Sequence, residues 1–359
     1  MNEEVVNFQN ILEASKKIRD IVARTPTYYS VVFSQRTGAK VYLKLEGFQP
    51  VGVFKIRGAA NKICNISKPD LEKGLVTASS GNHGLSVAYV ANIVGAKAIV
   101  VVPKKAVKEK VEAIESYGAQ VVEYGKDYEE AYAKALEMRE KTEMILVHPF
   151  NDSFVIAGQG TIGLELLEDI PDLDTIIVPI GGGGLISGIA IAAKTLKPDI
   201  RIVGVQAERA PAIYRSWRAG EIVETESFRT VADGLVTRKP LDLTFRIIKK
   251  HVDEILLVTE QEIGESVLAL LREAHVLAEP SAATSLAALL FKYSPKRREK
   301  VAIIISGANI SLVYLQSLLR KQNGLSLNWQ LGAKRRYERK IKRKHKFYFS
   351  GSSSYKSLS

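Results

Sequence analysis

The segment Phe54-Lys55-Ile56-Arg57-Gly58-Ala59-Ala60 sets one lysine where an extended run, Val41-Tyr42-Leu43-Lys44-Leu45, has given way to a helical pattern. An ammonium at a helix start faces the positive end of the helix dipole, which favours the neutral amine. A neutral lysine condenses with an aldehyde, so Lys55 is suited to hold pyridoxal phosphate as an imine. Lysines before helices are common, and the assignment needs partners elsewhere in the chain.

The first partner is a glycine run. Ile176-Ile177-Val178-Pro179-Ile180 leads directly into Gly181-Gly182-Gly183-Gly184 and then into the apolar stretch Leu185-Ile186-Ser187-Gly188-Ile189. Successive glycine amides can point at an anion with no Cβ in the way, and the helix that follows adds its dipole. Each ordered glycine forfeits roughly 0.5 to 1 kcal/mol relative to alanine, which a tight turn alone does not require. A phosphate cup is the better reading. The spacing does not fit G-x-G-x-x-G, because Ser187 falls where the last glycine belongs, and no G-K-[ST] follows. Dinucleotides and nucleoside triphosphates are therefore disfavoured against a cofactor with a single phosphate.

Two further junctions end apolar runs. Thr77-Ala78-Ser79-Ser80-Gly81-Asn82-His83-Gly84 offers hydroxyls, an amide side chain and helix-start amides that suit a carboxylate and a polar ring substituent, or simply an N-cap. Ile303-Ile304-Ile305-Ser306-Gly307-Ala308-Asn309 offers a hydroxyl at Ser306 for a pyridine nitrogen, or a cap for a helix starting near Ser311. His83 has no second ligand at useful spacing, so no metal is expected.

The elements that must position these residues alternate. Short β-branched runs at Ala98 to Val102, Ile176 to Ile180, Ile202 to Val205, Ile255 to Val258 and Val301 to Ile305 are expected strands. Helices are expected to begin at Asn82, Val107, Tyr128, Ile156, Leu185, Gln261, Ser281 and Ser311, with another after Lys55. There Ile56, Ala59, Ala60 and Ile63 form one stripe, expected to anchor the lysine to a sheet. The fold class is α/β: two lobes of open, twisted, mostly parallel sheets flanked by helices, with the cofactor between the lobes. The small domain is expected over residues 49–146, and the large cofactor-binding domain over 1–48 and 147–322.

Bulk properties bound the alternatives. With 359 residues and 46% hydrophobic content the chain can bury a large core. The single cysteine, Cys64, rules out an internal disulfide, and no apolar run reaches the roughly 20 residues needed to span a bilayer. A cytoplasmic protein with no membrane partner is expected. The net charge of +12 suggests nucleic acid, but Leu331 to Ser359 holds ten Lys or Arg against one Glu, so +9 belongs to a tail. Residues 323–359 read as a basic, disordered appendage. Contact of its aromatics, such as Tyr337 and Phe347, with nucleic acid is the lesser reading.

Taken together, these segments resemble the threonine dehydratase and serine racemase group of fold type II pyridoxal phosphate enzymes. The likeness runs from Arg24 to Leu319 and also includes Ala157-Gly158-Gln159-Gly160-Thr161, Ala232-Asp233-Gly234 and Glu279-Pro280-Ser281. It implies that Lys55 bonds the cofactor, Phe54 packs on it, Asn82 meets the ring hydroxyl and Ser306 the ring nitrogen. Gly181, Gly182, Gly183, Gly184 and Leu185 would cradle the phosphate, while Ser79, Ser80, Asn82 and His83 surround the substrate carboxylate. Two positions depart from the group: Val53 stands where serine is usual, and Gln206 where racemases place a metal-ligating glutamate.

The implied activity is deamination of L-threonine to 2-oxobutanoate and ammonia by β-elimination, with L-serine giving pyruvate. Lys55 would take the Cα proton. A neutral serine at the ring nitrogen suits prompt elimination over a long-lived negative charge on carbon, favouring a lyase over a transaminase. Racemisation is the alternative, with Ser80 as the second base. A homo-oligomer is expected from the same likeness.

Overall fold

Where β-branched residues cluster, the backbone is extended. The computed structural model describes residues 6–226 and 229–320. Among them the strands are β1 (Thr27–Tyr29), β2 (Lys40–Leu45), β3 (Leu75–Ala78), β4 (Ala98–Val102), β5 (Gln120–Glu123), β6 (Ile145–Leu146), β7 (Thr175–Pro179), β8 (Arg201–Ala207), β9 (Glu254–Val258) and β10 (Lys300–Ile305). Each of the five expected strands is present to within two residues at its ends.

The helices are α1 (Phe8–Ile18), α2 (Val31–Thr37), α3 (Lys55–Cys64), α4 (Lys68–Glu72), α5 (Asn82–Val94), α6 (Lys108–Ser116), α7 (Tyr128–Thr142), α8 (Ser153–Asp169), α9 (Gly184–Leu196), α10 (Ala212–Ala219), α11 (Asp242–His251), α12 (Glu260–Glu273) and α13 (Pro280–Phe291). Capping fixes several starts. Asp127 accepts from the Glu130 N–H at the head of α7, and Thr259 and Glu262 form a reciprocal box at α12. Helix α8 begins three residues ahead of the expected Ile156, because Asp152 accepts from the Val155 N–H and caps it there. Residues 312–320, in a separate compact unit beginning at Ser311, are helical. The basic segment 323–359 lies outside the described residues.

Six strands form one sheet in the order β1-β2-β10-β7-β8-β9, with β1 antiparallel and every other pairing parallel. A second, wholly parallel sheet has the order β5-β4-β3-β6. Parallel strands need helical crossovers and both faces covered, which gives them their continuous apolar runs. Leu185, Ile186 and Ile189 of α9 accordingly share a core with Ile176 and Val178 of β7.

The α3 stripe packs differently from the expectation. Ile56, Ala59, Ala60 and Ile63 are fully buried with Val87, Ala88 and Val90 of α5, and the principal neighbours of α3 are helices α5 and α8. The lysine is anchored to helices first and to the second sheet through them. On its α8 side the approach is backbone to backbone: a Cβ on Gly158 would lie 2.4 Å from the Arg57 carbonyl oxygen. That gives the Ala157–Thr161 segment a physical role that its sequence alone did not reveal.

Candidate active site

In the larger sheet the chain runs outward from β7 to β8 and β9, while β10 returns on the other side of β7. A crevice opens beyond the carboxyl ends of strands where order reverses in this way. The residues directly after β7 and β10 are Ile180-Gly181 and Ser306-Gly307, so the tetraglycine turn and the expected ring-nitrogen contact flank one switch point.

Gly183 caps α9 with φ of +95°, a left-handed conformation that disfavours a side chain. Its neighbours are glycine for reasons of space. A Cβ on Gly182 would fall 2.4 Å from the Phe150 ring, and one on Gly181 would fall 2.8 Å from the Gly234 carbonyl oxygen. Two other segments therefore close against the turn, a requirement with no local sequence signal. Among the described residues, the backbone N–H groups of Gly182, Gly183, Gly184 and Leu185 meet no acceptor. Consecutive amides left open at a helix N-terminus fit a phosphate.

Lys55 is the first residue of α3. Its Nζ donates to the Pro149 carbonyl oxygen at 2.9 Å and lies 5.3 Å from the centre of the Phe54 ring. Although the residue is partly accessible, its amine sits among protein atoms, and that burial lowers its pKa to about 8, opposed by the Glu279 carboxylate. Desolvation is thus the leading cause of the shift. The Phe54 N–H donates to the Ser306 carbonyl oxygen at 3.0 Å, which ties the lysine segment to the end of β10. Val53, fully buried, pairs with Gly307 in an isolated bridge, so the residue that replaces serine is used in packing.

Ser79, Ser80, Asn82 and His83 lie after β3 at the head of α5. Ser79 Oγ accepts from the Gly81 N–H at 3.3 Å, and Ser80 Oγ makes no hydrogen bond to a described residue. His83 is buried, with Nε2 2.9 Å from the Val147 carbonyl oxygen. Burial, reinforced by nearby Lys55, pushes its pKa down to about 3, so a neutral ring donates from Nε2 and leaves Nδ1 a buried acceptor without a partner among the described residues. Asn82 Nδ2 lies within hydrogen-bonding reach of both Glu279 carboxylate oxygens, at 2.9 and 3.0 Å, and its Oδ1 accepts from Asn309 Nδ2 at 2.9 Å. Ser306, 2% exposed, makes no Oγ hydrogen bond among the described residues, so it does not act there as a helix cap.

Pyridoxal phosphate fits this arrangement: an amine with a lowered pKa, helix-start amides and the Ser306 hydroxyl, the latter two without a partner among the described residues, match its aldehyde, phosphate and ring. Two participants carry no sequence signal, Pro149, which accepts from the lysine, and Phe150, which packs on the glycine turn; Glu279, named above only within the Glu279-Pro280-Ser281 segment, is the acceptor for Asn82. At the racemase metal position Gln206 is fully buried, its Nε2 donating to the Ile180 carbonyl and its Oε1 accepting from the Tyr214 N–H. No cluster of three or more His, Cys, Asp or Glu suited to a metal occurs among the described residues.

The family model for "Pyridoxal-phosphate dependent enzyme" matches residues 18–307. The chain is 45% identical over 317 residues to an L-threonine ammonia-lyase of Thermotoga maritima, covering 88% of this chain and 79% of the relative. It is 43% identical to an L-threonine ammonia-lyase of Geobacter sulfurreducens, covering 84% of this chain and 75% of that one. Among solved structures, serine racemase from Dictyostelium discoideum superposes with a TM-score of 0.81 at 41% identity, over 86% of this chain and 99% of the other. A lysine amine, an open amide cradle and a match that spans both lead to one assignment: this chain belongs to the pyridoxal-phosphate dependent enzyme family.

Proposed function

We propose that the protein is a threonine ammonia-lyase that converts L-threonine to 2-oxobutanoate and ammonia, and L-serine to pyruvate and ammonia. The observation that carries this reading is the Lys55 amine, buried at the head of α3 with its pKa lowered to about 8. Relatives at 45% and 43% identity that bear this activity support it.

When bound, pyridoxal phosphate supplies a conjugated ring that accepts the electron pair left at Cα. Lys55 Nζ holds the cofactor in the resting enzyme and takes the Cα proton during turnover. The amides of Gly181 to Gly184 and Leu185 grip the phosphate, Phe54 packs on the ring, Asn82 meets its hydroxyl and Ser306 Oγ its nitrogen. Ser79, Ser80, Asn82 and the backbone of His83 receive the substrate carboxylate. The β-hydroxyl leaves as water, and water is taken up again when nitrogen is released, so the net products are the oxo acid and ammonia. The working protein is a cytoplasmic homo-oligomer, with residues 49–146 as the small domain and 1–48 with 147–322 as the large one.

Lys55→Ala tests the reading. The purified variant is expected to lack the visible cofactor absorbance and to form no 2-oxobutanoate from L-threonine; full activity in the variant overturns it. Racemisation is the second reading, favoured by the Ser80 hydroxyl that no described residue engages and by the likeness to a serine racemase. With L-serine as substrate, accumulation of pyruvate supports the lyase and accumulation of D-serine supports the racemase.

A further inference from the structure

Asn82 is held at both ends of its amide. Asn309 Nδ2 donates to Asn82 Oδ1 at 2.9 Å and is itself fixed by a second bond, at 3.0 Å, to the Val51 carbonyl oxygen. On the other side both Glu279 oxygens face Asn82 Nδ2. Glu279 is in turn locked to the strand end that carries Ser306. Its N–H donates to the Gly307 carbonyl at 3.0 Å, and a Cβ on Gly307 would lie 2.8 Å from Oε1, so a side chain there would push the carboxyl from its place. A primary amide has two N–H groups. If Glu279 draws both, none is left for another acceptor; if it draws one, the second is presented in a fixed direction.

We propose that Glu279 is a positioning residue for the pyridoxal phosphate ring: with Asn309 it fixes the Asn82 amide so that one N–H, and only one, is presented to the ring oxygen. This rests on the reading of Asn82 as the ring-hydroxyl contact. The carboxyl acts through Asn82 and does not itself touch the reacting atoms.

The charge of Glu279 sets how strongly it competes for the amide, since an ionised acceptor binds an N–H more strongly than a neutral one. Burial pushes its pKa up to about 7; Asn82 opposes this, Asp233 adds to it, and Lys110 and Lys55 oppose it. Asp233 is itself paired with Lys110 at 2.8 Å. A carboxyl in these surroundings changes charge near neutrality, and Asn82 transmits the change to the ring.

The test uses the holoenzyme. Absorbance of the bound cofactor is recorded from pH 5 to 9 for the wild type, Glu279→Gln and Asn82→Ala, with cofactor content measured on each. The wild-type spectrum is expected to shift through a transition near neutrality. Glu279→Gln keeps its cofactor but loses that transition, and its kcat falls about tenfold, the kinetic equivalent of one hydrogen bond, with little change in KM. Combining it with Asn82→Ala adds less than the two separate losses. Should Glu279→Gln fail to fold, Asn309→Ala, which loosens the same amide without touching the carboxyl, is expected to lower kcat in the same sense. A wild-type transition retained in Glu279→Gln, or losses that simply add, overturns the proposal while leaving the lyase reading intact. A wild-type protein that binds no cofactor overturns the lyase reading itself.

Discussion

Two groups in the site have pKa values displaced toward neutrality by the same cause, loss of water, and in opposite directions. Lys55 comes down to about 8 and Glu279 goes up to about 7. For Glu279 the folded protein keeps a proton that the unfolded chain has lost between its ordinary 4.5 and about 7, so this residue's contribution to stability falls as pH rises through that window. The loss is on the order of 3 kcal/mol when complete. Lys55 does not mask it, because its own penalty is constant below about 8 and is relieved only at higher pH. Thermal melts of the cofactor-free protein should therefore show Glu279→Gln gaining on the wild type from pH 4.5 to 7; a constant difference refutes the assignment. Lys55 and the glycine run were legible in sequence because their chemistry is local. Glu279 was visible only as a segment mark, since its bond to Asn82 spans 197 residues and the spacing of either segment carries no trace of it.

Beneath the lysine, α3 is held by charges. Arg57 donates to Glu46 at 2.8 Å and to Glu165 at 2.6 Å, and Lys44 pairs with Glu165 at 2.6 Å. Burial alone would raise the Glu46 pKa, but Arg57 outweighs it and holds the carboxyl below its ordinary value. The stability this contributes is present above about 4.5 and is lost as pH falls through the folded-state value. Arg57→Ala strands the fully buried Glu46 carboxylate, while Glu165 keeps Lys44, and is expected to cost about 3–5 kcal/mol, measured by urea unfolding at pH 7. A loss below about 1 kcal/mol would mean that water reaches the cluster. At this scale the most β-branched strands were legible in the chain, as were most of the longer helices to within a few residues, though not α1 (Phe8–Ile18). The short helices α2 and α4 and the two-residue strand β6 were not anticipated, because so few residues cannot display a period. Nor were α10 and α11, whose starts carry no side-chain cap.

For the whole molecule, α/β alternation was enough to name parallel sheets, but their separation into six and four strands with a reversal beside β7 is a matter of long-range pairing. Surface chemistry bears on assembly. Phe48, 64% exposed, and Leu277, 44% exposed, line a hollow of mixed polarity of about 140 Å³ with His275, Val276, Ile305 and Ala308. Large apolar side chains on such a surface suit a second copy of the chain. For the homo-oligomer proposed above, Phe48→Glu is expected to lower the mass measured by light scattering toward that of a monomer, and an unchanged mass would remove this surface from the proposed interface.

The cluster around Arg57 also bears on tolerance to ionic strength. Mobile ions screen charges that water can reach, as at the Lys108–Glu112 pair, but they hardly enter a dry interior, and Lys44, Glu46 and Arg57 are all fully buried. Molar sodium chloride should thus erase surface attractions while leaving the platform under the reactive amine in place. Turnover of L-threonine at saturating substrate is expected to persist in brine, whereas Arg57→Met, lacking that platform's central cation, loses it.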